Sequence, residues 1–392
     1  MQYGLSFNDH VKTTIEQNDE SQEASKEHKT ITVMKVFISI LLFSISFNST
    51  GQVIDDSIIS SIAQRIDSMP NGFVLSIAIL KDEEVNYIGL IKENDSIRLK
   101  NLQDSLFEIG SLTKVFTTTL LAHEVVLGKL NINESINKSF PYKFNNKIKI
   151  TYGELANHTS GLYRLPSNIL PLLLKNPTNP YQEYSYSMFD FYLKEELQVE
   201  QSNPPKYSYS NLGAGLLAYA LSKKRADTFS NLLRNNIFNQ LNMTSTSFDC
   251  KPSYNGINAN NEPAENWQFN ALKGAGGLIS STSDLSKFVA VQFDTSSAVF
   301  SLTRKPTHSI SDHMSIALGW HIIKSSDSPV KYWHNGGTGG FTSSISFRTT
   351  NRTGVIVLSN ISALHQQSFV IDELCFELLD ALNESPVKNM KK

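Results

Sequence analysis

The sequence predicts a mixed α/β (α+β) fold in which one antiparallel sheet is built from the N- and C-terminal segments and flanked by helices. Two observations support this prediction: strand-like segments lie near both ends of the chain, at 72–91 and 318–360, and helical periodicity dominates the residues between them. Strands at both ends imply a sheet assembled from both termini, with a mostly helical region, about 150–300, inserted in the middle.

The first predicted elements are a helix and a β-hairpin. The spacing of apolar residues in SIISSIAQRIDSM predicts a helix at 57–69. The segments GFVLSIAIL (72–80) and EVNYIGLI (84–91) flank the charged turn KDE, a pattern that is typical of two antiparallel strands. A long apolar helix is predicted next, at 111–127.

The later predicted elements are two helices, four strands and a closing helix. Helical spacing continues in NLGAGLLAYALSKK (211–224) and STSDLSKFVAVQF (281–293). The strands are LGWHIIK (318–324), VKYWHN (330–335), FTSSISFR (341–348) and GVIVLSN (354–360). The amphipathic pattern FVIDELCFELLDAL, which contains Cys375, predicts the last helix.

The N-terminus predicts an exported protein. Residues 1–33 are polar and acid-rich, so we expect a disordered segment or an extension upstream of the true start. From Met34 a lysine, an apolar run at 36–47 and small residues follow one another as in a signal peptide, here 34–51. The apolar run is shorter than the roughly 20 residues of a membrane span, although an anchor at 36–47 is the alternative. We therefore expect a periplasmic or secreted single domain at 52–392, with no stable membrane span in its mature form.

Composition excludes several classes of function. The 35 Lys and Arg nearly balance the 37 Asp and Glu, and no long basic run is present, so we expect no nucleic-acid partner. The two cysteines, Cys250 and Cys375, are too few for a disulfide framework, and no Cys/His spacing indicates zinc. We expect a buried free thiol at Cys375, although an exported protein permits the two cysteines to pair.

The pattern S-x-x-K occurs more than once and has to be judged by its surroundings. Ser111–Lys114, Ser135–Lys138 and Ser385–Lys388 all have this spacing. Ser111 opens the long apolar helix, whose N-terminus offers unpaired N–H groups and a positive dipole end where an oxyanion can form. Lys114 shares its face of the helix. Ser135 lies in a polar loop and Ser385 in the C-terminal tail, so we favour Ser111, for which the alternative is an ordinary helix N-cap.

The tripeptide Tyr209-Ser210-Asn211 is the only Y-x-N in the chain and directly precedes a helix. A phenol can carry a proton if a nearby ammonium lowers its pKa from about 10. An asparagine amide can bind a substrate carbonyl. The alternative for Asn211 is a plain helix cap.

The stretch YWHNGGTGGFTSSISF places glycines at the end of a strand. The strand leads into His334-Asn335-Gly336-Gly337 and turns through the next three residues into another strand. These glycines allow another backbone to approach closely, although a loose hairpin turn is the alternative. They do not lie between a strand and a helix, so we exclude a nucleotide-binding loop.

Together the three motifs resemble those of the penicillin-recognising serine hydrolases, and more narrowly the class C β-lactamase-like family, with its D-alanyl-D-alanine peptidases and carboxylesterases. That family has S-x-x-K, Y-x-N and K-T-G or H-x-G in this order, and the resemblance covers about residues 55–380. It implies a β-lactamase/transpeptidase-like fold and no metal or organic cofactor. His334 departs from the lysine of class C β-lactamases proper, and an imidazole is mostly neutral above about pH 6.5. Histidine here is more usual among the peptidase and esterase relatives.

The resemblance implies an acyl-enzyme on Ser111, with Lys114 and Tyr209 as the further catalytic residues that move its proton. It also implies that the N–H groups of Ser111 and Gly337 form an oxyanion hole. The substrate-binding residues it implies are Asn211, His334, Gly336 and Gly337, where Asn211 binds the acyl amide and His334 orients Tyr209 or a substrate carboxylate.

The expected substrate is a small molecule or a peptidoglycan peptide. We expect a D-Ala-D-Ala carboxypeptidase or a β-lactamase, and the alternatives are a carboxylesterase of the same fold, a non-catalytic penicillin-binding sensor and, less well supported, a zinc hydrolase. The proline-rich loop from Tyr163 to Tyr192 is expected to border the substrate groove. No pattern in the sequence indicates an oligomeric state.

Overall fold

A large antiparallel sheet organises the fold, as expected. The computed structural model describes residues 56–200, 202–325 and 328–382. The expected N-terminal extension, the signal peptide and the Ser385–Lys388 pair lie outside these residues. Within the described residues, nine strands form one sheet in the order β3-β2-β1-β13-β12-β11-β10-β9-β8.

The strands of the fold have the following bounds. They are β1 Val74–Lys81, β2 Glu84–Glu93, β3 Ser96–Leu99, β4 Phe107–Glu108, β5 Gly256–Ile257, β6 Pro263–Ala264, β7 Ile279–Ser280, β8 His308–Ser309, β9 Met314–Ile316, β10 His321–Ile323, β11 Lys331–Gly337, β12 Thr342–Arg348 and β13 Thr353–Ser359. β4 pairs with β7 and β5 with β6, outside the large sheet.

The helices lie mainly between the two sets of strands. They are α1 Asp56–Arg65, α2 Thr113–Val126, α3 Tyr152–Ala156, α4 Leu170–Lys175, α5 Tyr186–Phe191, α6 Asn211–Arg225, α7 Phe229–Leu233, α8 Lys273–Gly276, α9 Thr282–Ala290, α10 Ala298–Arg304 and α11 Val370–Ala381. Short 3₁₀ turns include Gly110–Leu112 and Ile136–Ser139.

The sheet is buried on both faces because successive side chains of its central strands point to opposite sides. From β1, Leu75 and Ile77 pack with α1 and α11, in a cluster that includes Ile62 and Leu374. Ala78, from the same strand, belongs to the larger core on the other face, together with the helical region. Helices α1 and α11 thus cover one face of the sheet and the inserted helices cover the other.

The predicted hairpin and the four helices between 111 and 381 are confirmed, with small changes at their ends. β1 and β2 pair through Lys81 and Glu84, across the predicted turn. The first helix ends at Arg65, earlier than predicted. The predicted strand at 318–324 is wrong in its first half, because Gly319 (φ +83°) lies in a turn between β9 and β10. That turn is closed by a 2.8 Å hydrogen bond from Ala317 N to Trp320 O.

Candidate active site

The backbone around Ser111 packs tightly against the end of β11. Gly110 has φ +49°, and a Cβ on it would lie 2.5 Å from Gly337 N. A Cβ on Gly336 would lie 2.0 Å from Ile109 O and 2.8 Å from Ser111 N. Only glycine fits at these two positions, and the close approach brings the backbone of Ser111 and Gly337 to one place. The sequence analysis singled out Gly336 but not Gly110, and the structure gives the same reason for both.

Ser111 does not cap the helix that follows it. It lies inside the 3₁₀ turn Gly110–Leu112, and the N-cap of α2 is Leu112, which makes no side-chain capping bond. Its side chain is partly exposed and its Oγ lies 2.9 Å from Lys114 Nζ. The alternative interpretation of Ser111 as an ordinary N-cap is therefore wrong.

Lys114 is enclosed by the site, with 1% of its surface exposed. Besides Ser111, its Nζ contacts Asn211 Oδ1 at 2.9 Å and the carbonyl oxygen of Ala275 at 2.7 Å. Burial, and secondly the charge of Arg164, holds the pKa of Lys114 well below its usual value of 10.5. Burial therefore favours the neutral amine form of this side chain over the ammonium.

Tyr209 lies over the same amine, but its pKa moves opposite to the sequence-based expectation. The centroid of its ring is 4.7 Å from Lys114 Nζ, and the phenol shares a hydrogen bond with the side chain of Ser111. Burial raises the pKa of Tyr209 to about 12, outweighing the hydrogen bond to Ser111 and the charge of Arg164, which lower it. Burial disfavours the ammonium form of Lys114 as well, and with this pKa the phenol of Tyr209 stays protonated at neutral pH.

His334 is buried in β11 and uncharged. Burial, followed by the nearby His321 and Lys114, holds the pKa of His334 well below 6.5. Its Nδ1 lies 2.6 Å from the carbonyl oxygen of Asn335. A carbonyl oxygen can only accept, so Nδ1 carries the hydrogen of the neutral ring and donates a hydrogen bond to that oxygen. Its Nε2 is buried and has no partner among the described residues. The ring centroid lies 6.4 Å from that of Tyr209, so this acceptor nitrogen belongs to the same site.

Asn211, the first residue of α6, joins the site to the loop that was expected to border it. Its Oδ1 accepts from Lys114, and its Nδ2 donates to Tyr181 Oη at 3.1 Å. Tyr181 stacks on Phe269 with ring centroids 4.4 Å apart. Part of the loop from Tyr163 to Tyr192 therefore reaches the candidate site.

Three residues that sequence reasoning did not assign also surround the site. Arg164 places its guanidinium carbon 5.3 Å from the centroid of the Tyr209 ring, and the buried His158 lies with its ring 4.7 Å from that ring. Glu108, at the end of β4, is buried and accepts from Trp267 N at 2.9 Å. Burial raises the pKa of Glu108 to about 7, against hydrogen bonds from Thr338 and Trp267. His158 lies in the stretch ITYGELANHTSGL, which contains none of the three sequence motifs.

A partly buried carboxylate in α11 anchors the strand that carries His334. Asp372 accepts hydrogen bonds from Asn335 Nδ2 and from Ser344 Oγ, both at 2.7 Å, and from Trp333 Nε1 at 3.3 Å. Asn335 and Trp333 flank His334 in β11, and Ser344 lies in β12. The last helix of the fold therefore fixes the position of the third motif.

The second S-x-x-K pair does not form a comparable site. Ser135 caps the 3₁₀ turn Ile136–Ser139, and its Oγ donates to Asn137 Oδ1 at 2.6 Å. The side chain of Lys138 is 73% exposed and lies 3.6 Å from Glu134. The structure therefore distinguishes the first pair from the second by burial.

The described residues contain no cluster of side chains that could form a metal site. No three His, Cys, Asp or Glu side chains among them are grouped so that they could hold a metal ion. Cys250 and Cys375 are free thiols, and Cys375 is buried as expected. None of the helices described between residues 56 and 382 is long and apolar enough to cross a bilayer.

Comparison with known proteins extends over most of the described chain. The sequence model of the family described as Beta-lactamase matches residues 71–374. A Beta-lactamase from Providencia stuartii is 28% identical over 266 residues, which cover 65% of this chain and 64% of the relative. Protein flp from Staphylococcus aureus (strain NCTC 8325 / PS 47) is 22% identical over 312 residues, covering 75% of this chain and 60% of the relative. The chain therefore spans less than two thirds of the length of these relatives.

Solved structures confirm the expected fold. The octameric penicillin-binding protein homologue from Pyrococcus abyssi superposes with a TM-score of 0.70 at 20% identity, over 85% of this chain and 78% of that one. The Beta-Lactamase/D-Alanine Carboxypeptidase from Pseudomonas syringae gives a TM-score of 0.69 at 20% identity, over 84% of this chain and 99% of that one. At this identity the likeness is one of fold.

Proposed function

This chain belongs to the beta-lactamase family, and from that premise we propose that it is a serine hydrolase that forms an acyl-enzyme on Ser111. The observation that carries the proposal is the buried Lys114 amine, 2.9 Å from Ser111 Oγ. Activation of a serine hydroxyl needs a base within hydrogen-bond reach, and an amine qualifies only if it is neutral. Burial favours that neutral form here, because it lowers the pKa of Lys114 well below 10.5.

Lys114 is the base of the proposed acylation step. A neutral amine has two N–H groups and one lone pair. The oxygens of Asn211 and Ala275, which can only accept, take the two N–H groups. The lone pair is then left for the hydroxyl proton of Ser111, so the three contacts of Lys114 are compatible with the neutral amine that this step requires.

Tyr209 is the proposed acid for the leaving group. Its phenol is protonated, since burial raises its pKa to about 12, and it can donate to Ser111 Oγ. As Ser111 attacks a carbonyl, its proton passes to Lys114, and Tyr209 gives its own proton to the leaving group. Lys114 then returns the proton to Tyr209, so neither side chain keeps a net charge. Water releases the acyl group by the same steps in reverse.

The remaining predicted residues have proposed roles in binding. The N–H groups of Ser111 and Gly337 form the oxyanion hole, which the packing of Gly110 and Gly336 supports. Asn211 binds the acyl amide through its side chain while it holds Lys114 in place. His334 presents Nε2 as an acceptor, which suits the hydroxyl of Tyr209 or a substrate N–H better than a carboxylate.

The proposed substrates are D-Ala-D-Ala-type peptidoglycan peptides, β-lactams or both, with no metal or organic cofactor. These substrates carry a carboxylate, whereas burial disfavours a positive charge on both His334 and Lys114. This favours a second candidate, a carboxylesterase acting on uncharged esters. A non-catalytic penicillin-binding sensor would be acylated without turnover.

Labelling with a fluorophosphonate tests the nucleophile, and turnover of three substrates tests the class. We expect label on Ser111, retained in Ser135→Ala and lost in Ser111→Ala; label that persists in Ser111→Ala would remove the assignment. Turnover of a D-Ala-D-Ala peptide, of nitrocefin or only of p-nitrophenyl acetate would indicate, respectively, the peptidase, the β-lactamase or the esterase. Label without any turnover would indicate the sensor.

We also propose that the protein is exported to the periplasm or secreted. The support is the signal-peptide pattern at 34–51, which lies outside the described residues. Mass spectrometry of the protein recovered from the expressing cells would give its N-terminus. A mature N-terminus upstream of residue 45 would contradict cleavage and favour an anchor at 36–47.

A further inference from the structure

We propose that Arg164 is a specificity-determining residue, whose guanidinium binds a carboxylate on the leaving-group side of the substrate. The proposal rests on the proposed function, since it assumes acylation of Ser111. Among the substrates proposed above, it favours those that carry a carboxylate over neutral esters. It assigns a role to a side chain outside the three motifs.

The position of Arg164 beside the site is fixed by its backbone. Its carbonyl oxygen accepts from Leu212 N at 3.0 Å, and that of Tyr163 accepts from Ser210 Oγ at 2.7 Å. Both donors belong to the start of α6, next to Tyr209 and Asn211. The segment that carries Arg164 is therefore attached to the same helix end as the proposed acid.

The approach of this segment depends on a glycine. Gly161 has φ +69°, and a Cβ there would lie 2.3 Å from Glu200 O. Gly161 O also accepts from Glu200 N at 2.7 Å, so the chain turns tightly before it reaches Arg164. The conformation of this loop therefore helps to place Arg164 beside the site.

The charge of Arg164 is available to a ligand. The side chain is exposed, and no carboxylate of the described residues forms an ion pair with it. Its guanidinium lies over the face of the Tyr209 ring and, among the described residues, forms no ion pair that would compete with a ligand. An arginine is always charged in proteins and binds a carboxylate with two parallel hydrogen bonds.

The leaving group explains why a carboxylate would reach this residue. Tyr209 gives its proton to the leaving group in the proposed mechanism, so that group lies beside the Tyr209 ring. In a peptide that ends in an amino acid, the carboxylate is separated from the leaving nitrogen by one carbon. Arg164 lies over the same ring and supplies the permanent charge that neither His334 nor Lys114 provides.

The test compares substrates that differ only in this carboxylate. The full chain, Arg164→Gln and Arg164→Lys are assayed with an N-acetylated D-Ala-D-Ala peptide and its C-terminal amide. Acylation of Ser111 by benzylpenicillin and by its methyl ester is followed by mass spectrometry. The measured quantity is the acid-to-neutral ratio of kcat/KM or of the acylation rate constants. Removing a nearby charge changes the pKa of Lys114 equally for both substrates, so the ratio cancels that change.

Arg98→Gln, on the exposed edge strand β3, is the matched control.

We expect the wild-type protein to prefer the acids and Arg164→Gln to lower the acid-to-neutral ratio about 10- to 100-fold, mainly through KM. Arg164→Lys should recover part of it, and Arg98→Gln should keep the wild-type ratio. A ratio near one in the wild-type protein, or an equal ratio in Arg164→Gln, would overturn the role of Arg164 while Ser111 still reacts. Absence of fluorophosphonate label on Ser111 would instead overturn the proposed function itself.

Discussion

Two serine–lysine pairs in this chain have the same spacing and opposite surroundings. Lys114 is 1% exposed and touches three oxygen atoms, one of them Ser111 Oγ. The side chain of Lys138 is 73% exposed and faces a carboxylate, while Ser135 caps a 3₁₀ turn. Spacing alone therefore does not produce a base. Burial does, because it disfavours the ammonium and leaves an amine that can accept a proton.

The largest expected effect comes from removing the two lysines in turn. Lys114→Met should lower the rate of acylation by about 10³-fold, since it removes the proposed general base. Lys138→Met should keep the wild-type rate. Fluorophosphonate labelling rates at neutral pH measure both, and an unchanged rate in Lys114→Met would contradict the comparison.

The same pair of variants has a second readout in stability. The pKa of Lys114 is lower in the folded than in the unfolded chain, so the unfolded chain binds more protons below pH 10.5. The free energy of unfolding should therefore rise with pH between the folded-state pKa and 10.5. Lys114→Met should lose this component in denaturant titrations, and Lys138→Met should retain it.

A smaller effect is expected from placing a charge next to the buried amine. Asn211→Asp puts a carboxylate in the position of the Oδ1 that lies 2.9 Å from Lys114 Nζ. An opposite charge at this distance should raise the pKa of Lys114 by about one to three, as is general for such pairs. At neutral pH we expect labelling to slow roughly 10- to 100-fold and to recover as the pH rises.

Asn211→Leu is the control for that prediction. It removes the same acceptor without adding a charge, so it should slow labelling without moving the acidic limb of the pH profile upward. An identical limb position in Asn211→Asp and the wild-type protein would show that the charge of Lys114 does not control the reaction.

Much of this comparison could be anticipated from the sequence. The alternation in β1 and β2 and the turn between them are local patterns, and Ser111 was favoured over Ser135 because it opens an apolar helix. The direction of the pKa shift of Tyr209 was not predictable. It is set first by burial of the phenol, among side chains such as His158 and His334 that lie far from Tyr209 in the sequence.

Arg164 and Glu108 were missed for a related reason. Arg164 lies in a loop without periodicity, and Glu108 reads as an ordinary residue at the end of a strand. Each becomes notable only through what the fold places against it, the Tyr209 ring for Arg164 and the backbone of Trp267 for Glu108. A sequence pattern contains the residue types of a site but not their burial, which sets their charge.

The acidic neighbours of the two pairs extend the comparison to carboxylates. Glu134 precedes Ser135 and lies 3.6 Å from both Lys138 and Lys224. Glu108 precedes Ser111 by three residues, is buried, and forms no ion pair among the described residues. Its pKa is raised from 4.5 to about 7, so the folded chain binds the extra proton in this range. Stability should fall as the pH rises from 4.5 to 7.

Glu108→Gln should abolish that fall. The amide keeps an oxygen for Trp267 N but has no charge to bury, so at pH 8 the variant should be more stable by up to roughly 3 kcal/mol. Near pH 4 the two proteins should be alike. Urea denaturation at both pH values measures this, and a parallel pH dependence in the two proteins would contradict the buried position of Glu108.

The smallest expected effect exchanges the roles of the two serines. Ser135→Ala removes a cap whose Oγ accepts from Asn137 N, so the free energy of unfolding should fall by about 1 kcal/mol while labelling is retained. Ser111→Ala removes the proposed nucleophile, so it should lose the label. It removes no helix cap, so it should lower the free energy of unfolding less than Ser135→Ala does. Urea denaturation and fluorophosphonate labelling of both variants measure the exchange. If Ser135→Ala lost label, or if Ser111→Ala lost more stability than Ser135→Ala, the division between a reactive serine and a structural one would be wrong. Loss of label only in Ser111→Ala, together with the larger loss of stability in Ser135→Ala, would assign reactivity to the Ser111–Lys114 pair without the use of any substrate.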